Sequence, residues 1–521
     1  MRIIKSCIND YLNSKNRFLS FVINNYFFIY DSEIQNIYFF NKSKSKSLQE
    51  KNIDKLTPNA KKLYTILNNS GGIKEKLIEE DKEFLHIKLA LSNICNLNCK
   101  YCFVKKQETI KTDISILKKL LDRIDYKYNS SFIYKNICIT YNILSEVLTE
   151  VEALDFFYEC LNKINVVKFR VDDFKNVDTD SYLSYLPSKL LTLKNKNEDL
   201  ISFLNRILLL PNLRDYLDNE NIQYDDYTPD SNNLWDITYH NSELLVKTCF
   251  KDIHKFQIYP KKTYISSYFQ TNATLINYDI VQLLKKHRIS IVGLSLDGNK
   301  KINDINRPYK NGNSSYLDVI NGISLLRKNG IKIALYATIT DINSNIFSLY
   351  KELKKIGVEK IGFNLVKDNP LSEKTKKRII KSSCALLRYV VKRYLKGDDS
   401  DYKLLKESFI LEPFELLRTH QKQSCCGFGK KIVIDEKGNV YPCDQFFKET
   451  NYFEGNIFDE KLNIKRYPGV RERKVCHNCI YKYLCGGECL ATNGQFCELK
   501  KQLSLESIRL YAGIILKGIT I

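Results

Sequence analysis

The chain has 521 residues, 44% of them apolar and 27% charged, with a net charge of +21 from 81 basic and 60 acidic residues. That length suits roughly three domains of about 150 residues, and the composition is globular rather than disordered or fibrous. No run of about 18 apolar residues offers a membrane span, and the polar-interrupted N-terminus MRIIKSCINDYLNSKNRFLSF has no signal-peptide core, so a cytoplasmic location is expected.

In chain order, residues 26–40 (YFFIYDSEIQNIYFF) read as two strands around a polar turn, and 56–69 as a helix opened by Thr57-Pro58. Together they predict a small α+β unit over 1–88. Residues 86–92 (HIKLALS) alternate and run straight into a cysteine cluster. Between 104 and 232 helix candidates (114–127, 145–164, 198–217) alternate with polar loops, which reads as a helical insertion. From 236–240 onward a strand–helix rhythm sets in, with strands expected at 264–270, 289–298, 332–340 and 360–366 and helices such as VINGISLLRKNG between them. That rhythm predicts parallel strands in an open or closed α/β barrel over 89–405. Residues 406–521 are cysteine-dense and end in a helix at 502–517. Two segments are locally alike, ITYNILSE (139–146) and ITYHNSE (237–243).

The charge is spread as lysine without a long basic block, which fits solvated faces, attraction to an acidic partner being the other reading. No nucleic acid or membrane partner is expected. Sixteen cysteines without a secretion signal do not suggest a disulfide framework, and with six histidines any metal inventory rests on thiolates. Soft sulfur ligands select zinc or iron–sulfur clusters. Cys95, Cys99 and Cys102 stand as C-x3-C-x2-C. Three thiolates on one loop can hold three irons of a cubane cluster and leave the fourth open to a small molecule. Zinc is the rival, but its sites generally pair C-x2-C with a second nearby pair. Eight more cysteines (Cys425, Cys426, Cys443, Cys476, Cys479, Cys485, Cys489 and Cys497) crowd the C-terminus, enough for two four-iron clusters or a pair of zinc sites. Cys7, Cys138, Cys160, Cys249 and Cys384 are isolated and read as small buried hydrophobes.

The C-x3-C-x2-C spacing, with Tyr101 before the third cysteine, resembles the signature of radical S-adenosylmethionine enzymes. FQTNATLIN (269–277) is similar to the family's T-N-G-T segment, with Ala273 in place of glycine. LSLDGNKKINDINRPYKNGNSSY (294–316) resembles its S-L-D-G…D…R…G-x-S stretch. YHNSELLV (239–246) is similar to the Gly-Gly-Glu-Pro segment, of which Glu243 alone remains. The resemblance implies a partial (β/α)6 TIM-like barrel and a [4Fe-4S] cluster on Cys95, Cys99 and Cys102 that binds S-adenosylmethionine and cleaves it reductively. It makes Glu243, Thr271, Asn272, Ser295, Asp297 and Arg307 the candidate cofactor contacts. The C-terminal cysteines look like the SPASM domain, which implies two auxiliary [4Fe-4S] clusters. One would rest on Cys476, Cys479, Cys485 and Cys497, the other on Cys443 and Cys489 with Cys425, Cys426 or both.

In anaerobic sulfatase-maturating enzymes an Asp matching Asp444 serves as general base. The N-terminal unit resembles the leader-recognition modules of ribosomal peptide maturases, which take a peptide as an added strand. The first expectation is therefore a maturase that installs an oxidative thioether or carbon–carbon crosslink in a precursor peptide of leader plus core. Its electrons would come from a low-potential donor such as flavodoxin or ferredoxin. The alternatives are a sulfatase maturase forming formylglycine and a non-catalytic iron–sulfur scaffold.

Overall fold

In a computed structural model of the chain, the described residues are 2–3, 9, 17–41, 56–70, 84–102, 104, 110–124, 136–141, 145–164, 264–287, 289–366, 370–422, 431–447, 449–460, 462, 469–470, 472–487, 489 and 494–518. The first unit is an antiparallel sheet in the order β1 (Arg2–Ile3), β2 (Phe18–Ile23), β3 (Tyr26–Asp31), β4 (Asn36–Asn41). The run YFFIYD has no polar face, and both of its faces are covered. Phe27 and Ile29 pack with Leu56, Ala60 and Leu67 of helix α1 (Pro58–Ser70) and its approach. Phe28 and Tyr30 point the other way, as strand alternation requires. They join Phe21 and Ile37 against Leu417, Leu484, Ile508 and Ala512 from the far end of the chain. The helix begins where Thr57 and Pro58 predict, the Ala60 amide donating to Thr57 Oγ1 at 3.3 Å.

The second sheet runs in the order β10-β9-β8-β7-β6-β5-β11-β12. Six of these strands are parallel neighbours in chain order: β5 (Phe84–Leu89), β6 (Asn136–Tyr141), β7 (Tyr264–Thr271), β8 (Ile291–Ser295), β9 (Lys332–Ile339) and β10 (Lys360–Leu365). Strands β11 (Lys431–Ile434) and β12 (Val440–Tyr441) form a hairpin, and β11 adds in parallel to the outer edge of β5. Helices α2 (Ile114–Ile124), α3 (Val151–Ile164), α4 (Tyr278–Lys286), α5 (Lys300–Asn306), α6 (Tyr316–Lys328) and α7 (Ile346–Lys354) lie between strands; α8 (Glu373–Tyr394), α9 (Ser400–Leu405) and α10 (Glu412–Arg418) follow β10. Alternate strand residues such as Ile87, Val292, Leu294, Ile333, Leu335 and Phe363 share one core with the helices. Burying such side chains stabilises the fold by about 2 kcal/mol each. On the other face the strands carry His86, Lys88, Gln270, Ser295, Tyr336, Thr338 and Asn364 among the smaller Gly293, Ala334 and Gly362.

Two expectations are corrected here. The span 104–232 is not wholly an insertion: β6 pairs with both β5 and β7, and Leu117, Leu120, Leu154 and Phe157 lie in the common core. The boundary at 88 falls inside β5, because the HIKLA run is a buried strand of the second sheet. The strand expected at 236–240 and the helix at 198–217 lie outside the described residues. At the C-terminus, α11 (Lys482–Cys485) and α12 (Cys497–Leu516) carry Leu484, Ile508 and Ala512 onto the first sheet. Lys482 pairs with Glu33 across that junction at 3.1 Å. Among the described residues no helix is long and apolar enough to cross a membrane.

Candidate cofactor and cluster site

The loop that follows β5 carries Cys95, Cys99 and Cys102, and three separate segments pin it along its length. The Glu146 amide donates to the Ile94 carbonyl at 2.8 Å, the Asn98 amide to Pro308 at 2.8 Å, and the Lys100 amide to Asn306 at 2.9 Å. Asn96 bridges to the segment after β7, its Nδ2 donating to Thr274 Oγ1 at 2.8 Å and its Oδ1 accepting from Asn272 Nδ2 at 2.7 Å. Glu146, Asn272 and Thr274 follow the carboxyl ends of β6 and β7, where open α/β sheets place their ligands, while Asn306 and Pro308 hold the loop from the end of α5.

Beneath the loop lies a charged network. Asp297, fully buried after β8, accepts from the Thr338 amide at 2.9 Å and from the Tyr101 hydroxyl at 2.7 Å. Arg307 Nε lies 3.2 Å from Asp297 Oδ2, its guanidinium sits 5.4 Å from the Tyr101 ring centre, and its Nη1 reaches Cys99 Sγ at 3.9 Å. Burial works against the Arg307 charge, yet Asp297, Tyr101 and Cys99 together raise its pKa above the ordinary value. A permanent cation is thus held against a candidate thiolate. Burial foremost, and the neighbouring thiols, push Cys95 and Cys99 upward, Cys99 to about 11. Within the loop the Cys102 amide donates to the Cys99 carbonyl at 3.1 Å.

Glu146 was missed by sequence reasoning. It follows β6, is 1% exposed, and accepts from Thr271 Oγ1 at 2.6 Å, the Asn272 amide at 2.8 Å and the Leu148 amide at 3.1 Å. Burial raises its pKa while those three bonds and Arg307 pull it back. The available signal was the ITYNILSE segment, so like the one containing Glu243; Glu243 itself lies outside the described residues. Ala273, where the family's segment has glycine, adopts φ +69°, the left-handed region that glycine favours. Ser295 accepts from Gln270 Nε2 at 3.2 Å on the polar face of the sheet.

In the C-terminal group, burial above all, and then Cys479, Cys497 and Cys476, push the Cys485 thiol to about 12, Lys500 opposing. Cys476, Cys479 and Cys485 share one segment, the Cys479 amide donating to the Cys476 carbonyl at 2.9 Å, and Cys497 opens α12. Cys443 stands before a short helical turn, and Cys489 is partly buried. Cys425 and Cys426 lie outside the described residues. Among the described residues no three His, Cys, Asp or Glu side chains gather as ligands of one metal ion; cluster thiolates bind different irons and need not do so. Clustered thiols, with Arg307 on one of them, fit an iron–sulfur group.

Asp444 meets Lys88 on the polar face, Nζ to Oδ1 at 3.1 Å. Burial first, then Lys88 and Lys431, drives the neighbouring His86 down to about 3, with Asp444 pulling the other way. Between that value and the ordinary 6.5 the unfolded chain binds a proton that the native chain does not. Stability is therefore expected to fall on acidification through that window, with a slope of up to about 1.4 kcal/mol per pH unit. Urea midpoints measured across it should flatten in His86→Gln; an unchanged slope would mean that His86 protonates freely.

No family model matches the chain. A serine-type anaerobic sulfatase-maturating enzyme of Bacteroides thetaiotaomicron is 25% identical over 284 residues, 48% of this chain and 68% of that protein. An uncharacterized protein of Methanocaldococcus jannaschii is 37% identical over 211 residues, 39% of this chain and 64% of its own length. The antilisterial bacteriocin subtilosin biosynthesis protein AlbA of Bacillus subtilis is 25% identical over 241 residues, 42% of this chain and 49% of that protein. The chain thus spans about half to two thirds of the length of these relatives. Among solved structures, native anSMEcpe with bound AdoMet and Kp18Cys peptide superposes with a TM-score of 0.53 at 17% identity, over 82% of this chain and 98% of that one, a likeness of fold. The cysteine loop held over Tyr101, Asp297 and Arg307 thus stands in a chain similar to the anaerobic sulfatase-maturating enzymes and to the subtilosin biosynthesis protein AlbA.

Proposed function

We propose that this chain matures a ribosomally made peptide, abstracting hydrogen from it to install an oxidative crosslink, thioether or carbon–carbon. The observation that carries the reading is the Cys99–Arg307–Asp297–Tyr101 network under the cysteine loop, set at one end of a parallel sheet. Six parallel strands in chain order are the components of a partial (β/α)6 barrel. With a four-iron cluster on Cys95, Cys99 and Cys102 and S-adenosylmethionine on its open iron, the site is supplied with a hydrogen-abstracting radical. Thr271, Asn272, Ser295, Asp297 and Arg307 would orient the cofactor, and Glu146 would receive its amino group. Cys476, Cys479, Cys485 and Cys497 would hold one auxiliary cluster; Cys443 and Cys489, with Cys425, Cys426 or both, would hold the other. The N-terminal sheet would take the precursor's leader as an added strand, and a flavodoxin or ferredoxin would deliver electrons.

Formylglycine formation is the second reading, favoured by Asp444 beside Cys443 as a general base and by the sulfatase-maturating relatives. The test is anaerobic co-expression with the short peptide encoded beside the gene, and with a sulfatase-derived peptide. Loss of two hydrogens from the former, located by fragmentation between two residues and dependent on Cys95, is the expected result. An unmodified precursor together with an aldehyde, trapped by a hydrazide on the sulfatase peptide, would overturn it for the second reading. Under the second reading Asp444→Asn is expected to lower the aldehyde product by about 100-fold, as loss of a general base does.

A further inference from the structure

Lys88 and Asp444 lie 356 residues apart in sequence and meet because β11 adds to the edge of β5. In that register Lys431 stands opposite His86 and Val433 opposite Lys88. The β11–β12 hairpin then returns Cys443 and Asp444 to the Lys88 side chain. The pair is largely withdrawn from water, with side-chain exposures of 15% and 14%. Asp444 Oδ1, which Lys88 holds at 3.1 Å, also accepts from Cys443 Sγ at 3.4 Å, and Oδ2 accepts from Gln445 Nε2 at 3.3 Å. One carboxylate oxygen therefore joins an ammonium on the first parallel strand to a cysteine sulfur of the C-terminal group.

Such a pair is a poor choice for stability alone. Withdrawing two charges from water costs more than their attraction commonly returns, and an aliphatic residue at 88 would serve the sheet as well. We propose that Lys88 is the positioning residue of the Cys443–Asp444 turn, its ammonium holding the carboxylate beside a sulfur that no longer donates to it once on iron, and placing one positive charge beside the iron site that Cys443 would serve. The inference rests on the reading of Cys443 as an auxiliary-cluster ligand. Charge and hydrogen bonding next to a cluster's sulfurs set its reduction potential, and a nearby cation favours the reduced state. Lys88 would thus connect the strand leading into the cofactor loop with the electron-accepting end of the molecule.

The test uses the full chain with Lys88→Met, Lys88→Arg and, as control, Cys443→Ala. Iron content, the auxiliary midpoint potential by spectroscopic titration, and peptide product per 5′-deoxyadenosine released are measured on each. Cys443→Ala is expected to lose one cluster's iron. Lys88→Met should keep its iron, move the midpoint to lower potential and reduce product per deoxyadenosine by about tenfold, as loss of an outer-shell partner does. Lys88→Arg should restore both. Full iron in Cys443→Ala would remove the cluster reading and this inference with it. An unchanged midpoint and unchanged coupling in an iron-replete Lys88→Met would overturn the inference alone. So would loss of iron in both Lys88 variants, which would make the residue a packing element.

Discussion

Cys99→Ala is expected to abolish release of 5′-deoxyadenosine from the reduced, reconstituted protein, a fall of at least about 100-fold from loss of a first ligand, given that even outer-shell losses cost ten- to a hundredfold. Cys99 lies at the centre of the C-x3-C-x2-C loop, and Arg307 Nη1 stands 3.9 Å from its sulfur. Removing that thiolate leaves the guanidinium facing a methyl group and leaves two cysteines to hold an assembly that needs three. The Cys99 thiol, pushed up to about 11 by burial and eased back by Arg307, is neutral at pH 7 without metal, so loading the site releases its proton. Loss of iron confined to one cluster should accompany the loss of activity. Cofactor cleavage persisting in Cys99→Ala would place the chemistry elsewhere. No cleavage even in the parent protein, fully loaded and offered candidate peptides, would favour the non-catalytic scaffold.

What was legible in the sequence was local. The cysteine loop declares itself by spacing within eight residues. The segments holding Thr271, Asn272, Ser295, Asp297 and Arg307 can be found by likeness, and the fold gathers them around that loop. The run YFFIYD lacks polar alternation, which already signals a strand buried on both faces. Its second partner could not be read, because Leu484 and Ile508 lie more than four hundred residues downstream. Strand β6 was hidden for another reason: NICITY is short and sits in polar sequence, and its pairing with β5 and β7 is non-local. The Lys88–Asp444 pair depends on the register of β11 against β5, which no local pattern specifies.

The same ambiguity decides the second large effect. Two segments, ITYNILSE and ITYHNSE, compete for one role, and each ends in a glutamate. The fold gives Glu146 the wiring that the role requires, since both of its oxygens are engaged by the Thr271–Asn272 segment and the Leu148 amide. A carboxylate offers about four lone-pair sites, so three donors leave room for an incoming ammonium group. Glu146→Gln puts an NH2 where the carboxylate accepted, so one of these donors faces another and the negative charge is gone. Deoxyadenosine release at limiting cofactor is expected to fall by about 100-fold, in line with loss of a charged hydrogen-bond partner worth about 3 kcal/mol. Raising the cofactor concentration should recover part of that loss. Glu146→Ala should in addition destabilise the fold by about 3 kcal/mol or more, because the Thr271 hydroxyl and the Asn272 amide are left buried without an acceptor. If Glu146 alone fills that role, Glu243→Gln is expected to stay within about threefold of the parent. If Glu243→Gln fails and Glu146→Gln does not, the cofactor's amino group is received by the later segment, and Glu146 is only the clasp that holds β6 to the Thr271 turn.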